Sequence, residues 1–468
     1  MVMTSESSDT PTVGRSPSKR LPLATSTSLN LITQLTVSIA SLVNVVIISR
    51  ALGPTGRGEV VFLTTVAFIS SQFSALSVSE AASNIAGGTP QHRRALASNS
   101  IVLAVLFGSL TVGLLVALFH ILPDLGPRAG VGPHALMMIA IVPLILQGYF
   151  ERIVQADYGF KIVNVAWLIP ALGNVVVNSV LYAVGAISVA SAFGVWVAGQ
   201  FIALALLWWY IAKRLAGFGR PSSTLAREMV TFGIKAHGSR VLMWGNYRLD
   251  QWFVGAIAGA RELGLYSVAV AWAEGLFLLP QALAAAQRPD LVRVDRKTAG
   301  AQAGTAFRIV TLVTIPLMLV MLLAAPLLCV GVFGADFRGA IGDLRVLAIG
   351  AFGIISLKVL GGALIAQRRP LLETVASVVA FLATIALDLL LIPRFGGAGA
   401  ALASTIAYTV GGATIIAIAA RTLSIPTRVF VPRRADVKTT LVSVRGLIKR
   451  LLGARDAAIK SGDLSNTE

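Results

Sequence analysis

Arg50-Ala-Leu-Gly-Pro-Thr-Gly-Arg-Gly-Glu59 follows the first long apolar run of the chain, and Gly255-Ala-Ile-Ala-Gly-Ala-Arg-Glu-Leu-Gly-Leu-Tyr266 follows the seventh. Gly53 and Gly58 of the first stretch recur as Gly259 and Gly264 of the second, 206 residues later in both cases. Six apolar runs separate the two signatures, an even number, so both halves cross a membrane in the same sense. They form a parallel repeat whose pseudo-two-fold axis runs along the membrane normal. Gln34 with Arg240, Asn44 with Asp250, and Arg152 with Lys358 keep the same offset, while Asn178 with Asp388 drifts to 210. Repeats of this kind place a substrate site at their interface near the bilayer midplane, which points to movement of something across the membrane.

The composition demands a bilayer. Of 468 residues, 56% are hydrophobic and 13% charged, and the mean hydropathy is +0.79, more apolar surface than one soluble core buries. A helix needs roughly 20 apolar residues to cross about 30 Å of hydrocarbon. Such spans fall near 27–49, 58–82, 97–121, 134–155, 162–184, 187–210, 234–257, 264–285, 306–331, 344–366, 371–392 and 397–420. The fold expected is an all-α polytopic membrane protein with about twelve transmembrane helices in two six-helix lobes. Its parts are a disordered cytoplasmic tail over 1–24, lobes over 25–214 and 234–420, a cytoplasmic linker over 215–233, and a basic cytoplasmic tail over 421–468.

Charge placement supports this topology, because short inner loops carry the excess of Lys and Arg. Arg15, Lys19 and Arg20 precede the first span, which lacks a small-residue cleavage site after it and is retained. With the N-terminus inside, the inner loops hold Arg93, Arg94, Arg152, Lys161, Lys213, Arg214, Arg220, Arg227, Arg288, Arg293, Arg296, Lys297, Arg368 and Arg369. The outer loops hold only Arg50, Arg57, Arg128, Arg261, Arg338, Arg345 and Arg394. A formal charge of +18 invites a nucleic-acid reading, but charge spread over inner loops and a tail matches anionic membrane lipid instead. Past Thr440, Leu441, Val444, Ile448, Leu451 and Leu452 share one helical face, as in an interfacial helix; a disordered tail is the alternative. Cys329 has no second cysteine to pair with, and His92, His120, His134 and His237 lack metal-ligand spacing, so neither a disulfide nor a metal site is expected.

Gly53-Pro-Thr-Gly-Arg-Gly58 lacks the ending of a phosphate-cradling loop and lies between two spans. Its glycines suit a tight outer hairpin, since glycine adopts positive φ without steric cost. Ser49-Arg-Ala-Leu-Gly-Pro-Thr-Gly-Arg-Gly58 is similar to the segment after the first span of polysaccharide and oligosaccharide-lipid exporters. Arg248-Leu-Asp-Gln-Trp252 running into Glu262-Leu-Gly-Leu-Tyr-Ser-Val-Ala269, and Ile392-Pro-Arg-Phe-Gly-Gly-Ala-Gly-Ala-Ala401, are similar to later segments. The chain thus resembles the multidrug/oligosaccharidyl-lipid/polysaccharide exporter superfamily over roughly 25–420. The resemblance implies a V-shaped pair of lobes that opens alternately to each side of a bacterial inner membrane, with both termini cytoplasmic. It implies as cargo a polyprenyl pyrophosphate-linked oligosaccharide, with glycosyltransferases or a polymerase as neighbours, and no cofactor.

The seventh span is the least hydrophobic, and Arg240, Trp244, Tyr247 or Arg248, and Gln251 recur on one helical face. Asn30, Gln34, Ser38 or Ser41, and Asn44 do the same in the first span, so each lobe offers one polar helix to a shared cavity. A cation at mid-membrane costs roughly 2.5–3.5 kcal/mol on insertion scales and normally faces a bundle interior. Arg240 and Arg248 therefore lead the expected substrate-binding residues, since guanidinium binds phosphate through paired donors and Trp244 and Tyr247 suit sugar rings. Snorkelling, or pairing with Asp250, is the structural alternative. Arg152 and Lys358 form a candidate clamp for pyrophosphate near the inner face, weakened by Glu151 beside Arg152, and Arg308 reads as an inner anchor. Glu80, Glu274, Asp250 and Asp388 are candidates for coupling to H+ or Na+, although membrane potential alone can drive outward passage of an anion. A cation-coupled multidrug exporter, a peptidoglycan-precursor flippase, a membrane polymerase or ligase, and a scaffold are the competing readings; short outer loops disfavour the enzyme.

Overall fold

The computed structural model describes residues 23–126, 130–215 and 217–423, with 23–28 and 277–290 described as backbone alone. The expected N-terminal tail up to residue 22, the basic tail from 424 with its interfacial helix, and Arg128 lie outside the described residues, as does the side chain of Arg288. Helices make up nearly all of the described chain, and no strand occurs among the described residues. In order they are α1 (Leu23–Ser74), α2 (Val78–Gly88), α3 (Arg93–Ile121), α4 (Val131–Ala156), α5 (Phe160–Ala183), α6 (Val189–Arg214), α7 (Ser223–Phe253), α8 (Ala260–Arg293), α9 (Arg296–Pro326), α10 (Ala340–Ala366) and α11 (Pro370–Thr422). α1 and α11 each consist of two arms that meet at a non-helical glycine, Gly53 (φ 66°, ψ −175°) and Gly396 (φ 56°, ψ −133°). With α2 set aside as too short at 11 residues, the described arms correspond one to one with the twelve apolar runs. Eight helices, α1, α3–α6 and α9–α11, are both long and apolar enough to cross a membrane. α7 and α8, at 31 and 34 residues, have the length and carry Arg240, Arg248, Asp250 and Glu274. The protein is a multi-pass membrane protein.

The repeat is written in the backbone more fully than in the side chains. Positive φ occurs at Gly53 and Gly259, at Gly130 and Gly334, at Gly185 and Gly396, and at Tyr158 and Arg368, each pair at nearly the same offset. Gly53 and Gly259 each admit a sharp reversal between spans without a loop, as their hairpins require. The hairpins also meet each other. A Cβ on Gly58 would stand 1.7 Å from the Ala260 carbonyl oxygen, and one on Gly264 would stand 1.9 Å from that of Pro54. Pro54 and Ala260 are themselves repeat equivalents, so the pseudo-two-fold axis passes through this contact. Close backbone approach of this kind is how helices associate where lipid removes the hydrophobic drive.

Between the lobes, a helix starts within the stretch 215–233. α7 begins at Ser223, with the Ser222 hydroxyl accepting from the Leu225 N–H at 3.3 Å. The residues before it are tied to α3: Arg94 donates to the Phe218 carbonyl at 3.3 Å, Ser98 to that of Gly219 at 2.6 Å, and Asn99 to that of Ser222 at 3.0 Å. A continuous set of buried apolar side chains runs through both lobes.

Candidate translocation site

The second arm of α1 and α7 lie side by side and form a seam between the lobes. The Thr65 hydroxyl donates to Gln251 Oε1 at 3.3 Å, and Phe68 packs edge-on against Trp244 with centroids 4.8 Å apart. Farther from the glycine hairpins, Arg240 donates to Gln72 Oε1 and Ser79 Oγ, both at 3.3 Å, and to Glu80 Oε1 at 2.6 Å. Arg152 reaches the same Glu80 oxygen at 3.3 Å. At the hairpin end, Arg50 donates to the carbonyls of Val332 at 2.7 Å and Gly331 at 3.0 Å, so the lobes are tied there too.

Most of the polar stripe expected to face a wet cavity therefore faces the other lobe. Arg240, Trp244 and Gln251 meet Gln72, Phe68 and Thr65 in turn on the antiparallel neighbour. Arg152 and Lys358, expected as a symmetric clamp, part company. Arg152 joins the Arg240–Glu80 cluster, whereas Lys358 lies 5.0 Å from the Tyr247 ring centre and lines a lobe 2 cavity with Asn246, Glu373 and Tyr408. Arg308, expected as a surface anchor, is 7% exposed and donates to Thr305 Oγ1 at 3.2 Å. Its helix turns it inward, where the packed bundle rather than the interface receives it.

A cavity of about 430 Å³ lies between the lobes on the far side of the seam, bounded by both arms of α1 and by α7 and α8. Ser38 and Ser41 line it from the first span, and Arg248, Gln251, Trp272 and Glu274 from the second lobe. Arg248 pairs with Glu274 at 3.0 Å. Arg57 enters from the second arm of α1, and its enclosed Nε has no hydrogen-bond partner. Among the described lining residues, two guanidiniums thus face one carboxylate, leaving the cavity positive and suited to an anion. Arg57 was assigned from the sequence to an outer loop; the signal that could have found it is its place four residues into the arm after Gly53. A second cavity, of about 360 Å³, lies within lobe 1 and shares Val37, Ser41, Val45 and Arg57 with the first. Asn44 lines it; Gln34 lies exposed toward the start of α1.

Of the equivalent pairs Asn44–Asn178 and Asp250–Asp388, the first is joined by a hydrogen bond and the second is not. Asn178 donates to Asn44 Oδ1 at 2.8 Å in lobe 1. In lobe 2, Asp250 accepts from the Tyr266 hydroxyl at 2.5 Å, and Asp388 lies close enough to interact with it electrostatically. Asp388 is 0% exposed, and neither of its carboxylate oxygens has a partner among the described residues. The described residues contain no cluster of three or more His, Cys, Asp or Glu able to hold a metal ion.

Two six-helix lobes in parallel repeat are the fold of the multidrug/oligosaccharidyl-lipid/polysaccharide exporters, a superfamily of membrane transporters and flippases. Residues 47–341 match the family described as polysaccharide biosynthesis protein, more than half of the chain, and the chain belongs to that family. Among solved structures, the lipid II flippase MurJ in an inward closed conformation is similar with a TM-score of 0.69 at 15% identity, covering 92% of this chain and 98% of that one. An inward-facing multidrug resistance MATE transporter is similar with a TM-score of 0.59 at 12% identity, covering 87% and 96%. A superfamily transporter from Pyrococcus furiosus is similar with a TM-score of 0.56 at 12% identity, covering 86% and 95%. At these identities the likeness is one of fold. No curated protein sequence matches the chain.

Proposed function

We propose that the protein flips a polyprenyl pyrophosphate-linked oligosaccharide from the inner to the outer leaflet of a bacterial plasma membrane by alternating access. Both termini then lie in the cytoplasm, and glycan assembly enzymes act before and after it. The observation that carries this reading is the convergence of Arg57 and Arg248 on one interlobe cavity beside the first span. Paired guanidinium donors match phosphate oxygens, and the family's link to polysaccharide biosynthesis supplies the glycan. A cationic drug meets charge of its own sign there, which disfavours the multidrug reading. A peptidoglycan precursor carries the same pyrophosphate and differs only in its headgroup.

Coupling to a cation is part of the proposal, because a buried carboxylate inside a membrane span whose oxygens have no hydrogen-bond partner among the described residues is a place a cation can occupy. Asp388 offers that place to H+ or Na+ in lobe 2, where lobe 1 has the neutral Asn178. Membrane potential adds about 2.3 kcal/mol per charge per 100 mV toward outward movement of the anion.

The test is leaflet exchange of a fluorescent polyprenyl pyrophosphate oligosaccharide in proteoliposomes, beside a lipid II analogue. Exchange by the wild type should fall about 10- to 100-fold in Arg57→Gln and in Arg248→Gln, the loss of one charge-assisted contact. No exchange of either lipid by folded protein, with and without potential and ion gradients, would sink the flippase reading. Preference for the lipid II analogue would move it to the peptidoglycan precursor.

A further inference from the structure

The cavity inside lobe 1 has chemistry distinct from the interlobe one. Asn44, Gln147, Asn174 and Gln200 present carboxamides to it, Trp167 and Trp196 present indoles, and Arg57 is the one charged residue among its described lining. Their positions are built rather than incidental. Trp167 and Asn174 are two turns apart on α5, and Trp196 and Gln200 one turn apart on α6, so each pair shares a helical face. Phe193 stacks on Trp196 at 5.7 Å and 18°. Gln147 donates its Nε2 to Glu151 at 3.0 Å, which fixes its amide and leaves Oε1 as an acceptor.

Gln147 and Asn174 are 8% and 7% exposed, and Gln147 Oε1 and Asn174 Oδ1 are enclosed without a hydrogen-bond partner. Buried acceptors left so are costly unless something donates to them. Carboxamides that both donate and accept, beside indole faces, match the hydroxyls and apolar ring faces of a neutral sugar. At about 360 Å³ the space falls within the 300–1,000 Å³ typical of small-ligand pockets. Arg57 lines both cavities, so a diphosphate held between the lobes would stand next to the mouth of this one. The corresponding cavity in lobe 2 is lined by Lys358 and Glu373, so only lobe 1 offers a neutral amide surface among the described cavities.

We infer that this lobe 1 cavity is the subsite that receives the first, neutral sugars of the lipid-linked glycan while Arg57 holds the adjoining phosphate. The inference rests on the lipid-linked glycan reading above. The experiment measures binding of bare polyprenyl pyrophosphate and of the same lipid carrying a neutral disaccharide to the full chain in lipid nanodiscs. The wild type should bind the disaccharide lipid about tenfold more tightly, and Asn174→Leu and Gln200→Leu should each cut that preference to about twofold while retaining bare-lipid affinity. Two variants on different helices guard against one that fails to fold, which size-exclusion chromatography reports. An undiminished preference in a folded variant, or no preference in the wild type, overturns the sugar subsite alone. Binding of neither lipid by the wild type overturns the glycan reading with it.

Discussion

Gly58 and Gly264 are where single atoms decide whether the lobes close. A valine at Gly58 would drive its Cβ into the Ala260 carbonyl, and the same change at Gly264 into that of Pro54. Overpacking of this kind costs about 1–3 kcal/mol, so both variants should melt earlier in detergent by similar amounts, as the pseudo-symmetry requires. Gly113→Ala, with no atom within 4 Å of the added Cβ, should melt like the wild type; equal melting of all three proteins would remove the hairpin contact from the argument. Asp388→Asn should fold at least as well as the wild type, since it removes a buried carboxylate whose oxygens have no partner among the described residues. Its leaflet exchange should lose dependence on a proton or sodium gradient, and a dependence that persists would transfer coupling elsewhere. Asp388 and Asn178 were legible as repeat partners from their numbers alone. Arg57 was not, because a residue next to a glycine turn reads as loop until the turn is seen to contain no loop.

At the scale of elements, α7 and the second arm of α1 zip together through short polar contacts. Glu80 sits between Arg240 and Arg152, and its side chain is 37% exposed, so screening by water limits what the cluster contributes. A double-mutant cycle of Glu80→Gln with Arg240→Gln should give a coupling of about 1 kcal/mol or less in thermal unfolding. Exchange should change more than stability does, because the pair ties lobes that the proposed alternating access must separate. The start of α9 is tied differently. Asp295 accepts from the Thr298 side chain and N–H and from the Lys297 N–H, which holds its carboxyl below the ordinary 3.8. The stabilisation is therefore complete above that value and is lost as pH falls through the lower folded value. Amide exchange at residues 297 and 298 should accelerate only in strong acid, and acceleration near pH 6 would assign the cap to another group. The alternation of apolar and polar positions made α7 legible as a polar helix. It did not reveal which neighbour the stripe meets, since a cavity and a polar seam impose the same pattern.

For the molecule as a whole, the alternating access proposed above requires the seam to part. Thr65→Cys with Gln251→Cys should cross-link under oxidation, since their side chains touch at 3.3 Å and the native Cys329 is buried. Exchange should drop to background when oxidised and return on reduction, and undiminished exchange by the cross-linked protein would exclude separation of α1 from α7. The sequence alone determined that the chain spans a membrane, that its spans number twelve, and that its halves repeat in parallel, because hydrophobic length and glycine spacing are local and periodic. Tertiary structure alone decided that Arg240 binds Glu80 while Arg57 reaches the cavity, and that Asp388 is buried with both carboxylate oxygens lacking a hydrogen-bond partner among the described residues. Those outcomes depend on which faces of distant helices are turned toward each other, and a turn of a few tens of degrees leaves the apolar pattern unchanged while exchanging a cavity for a seam.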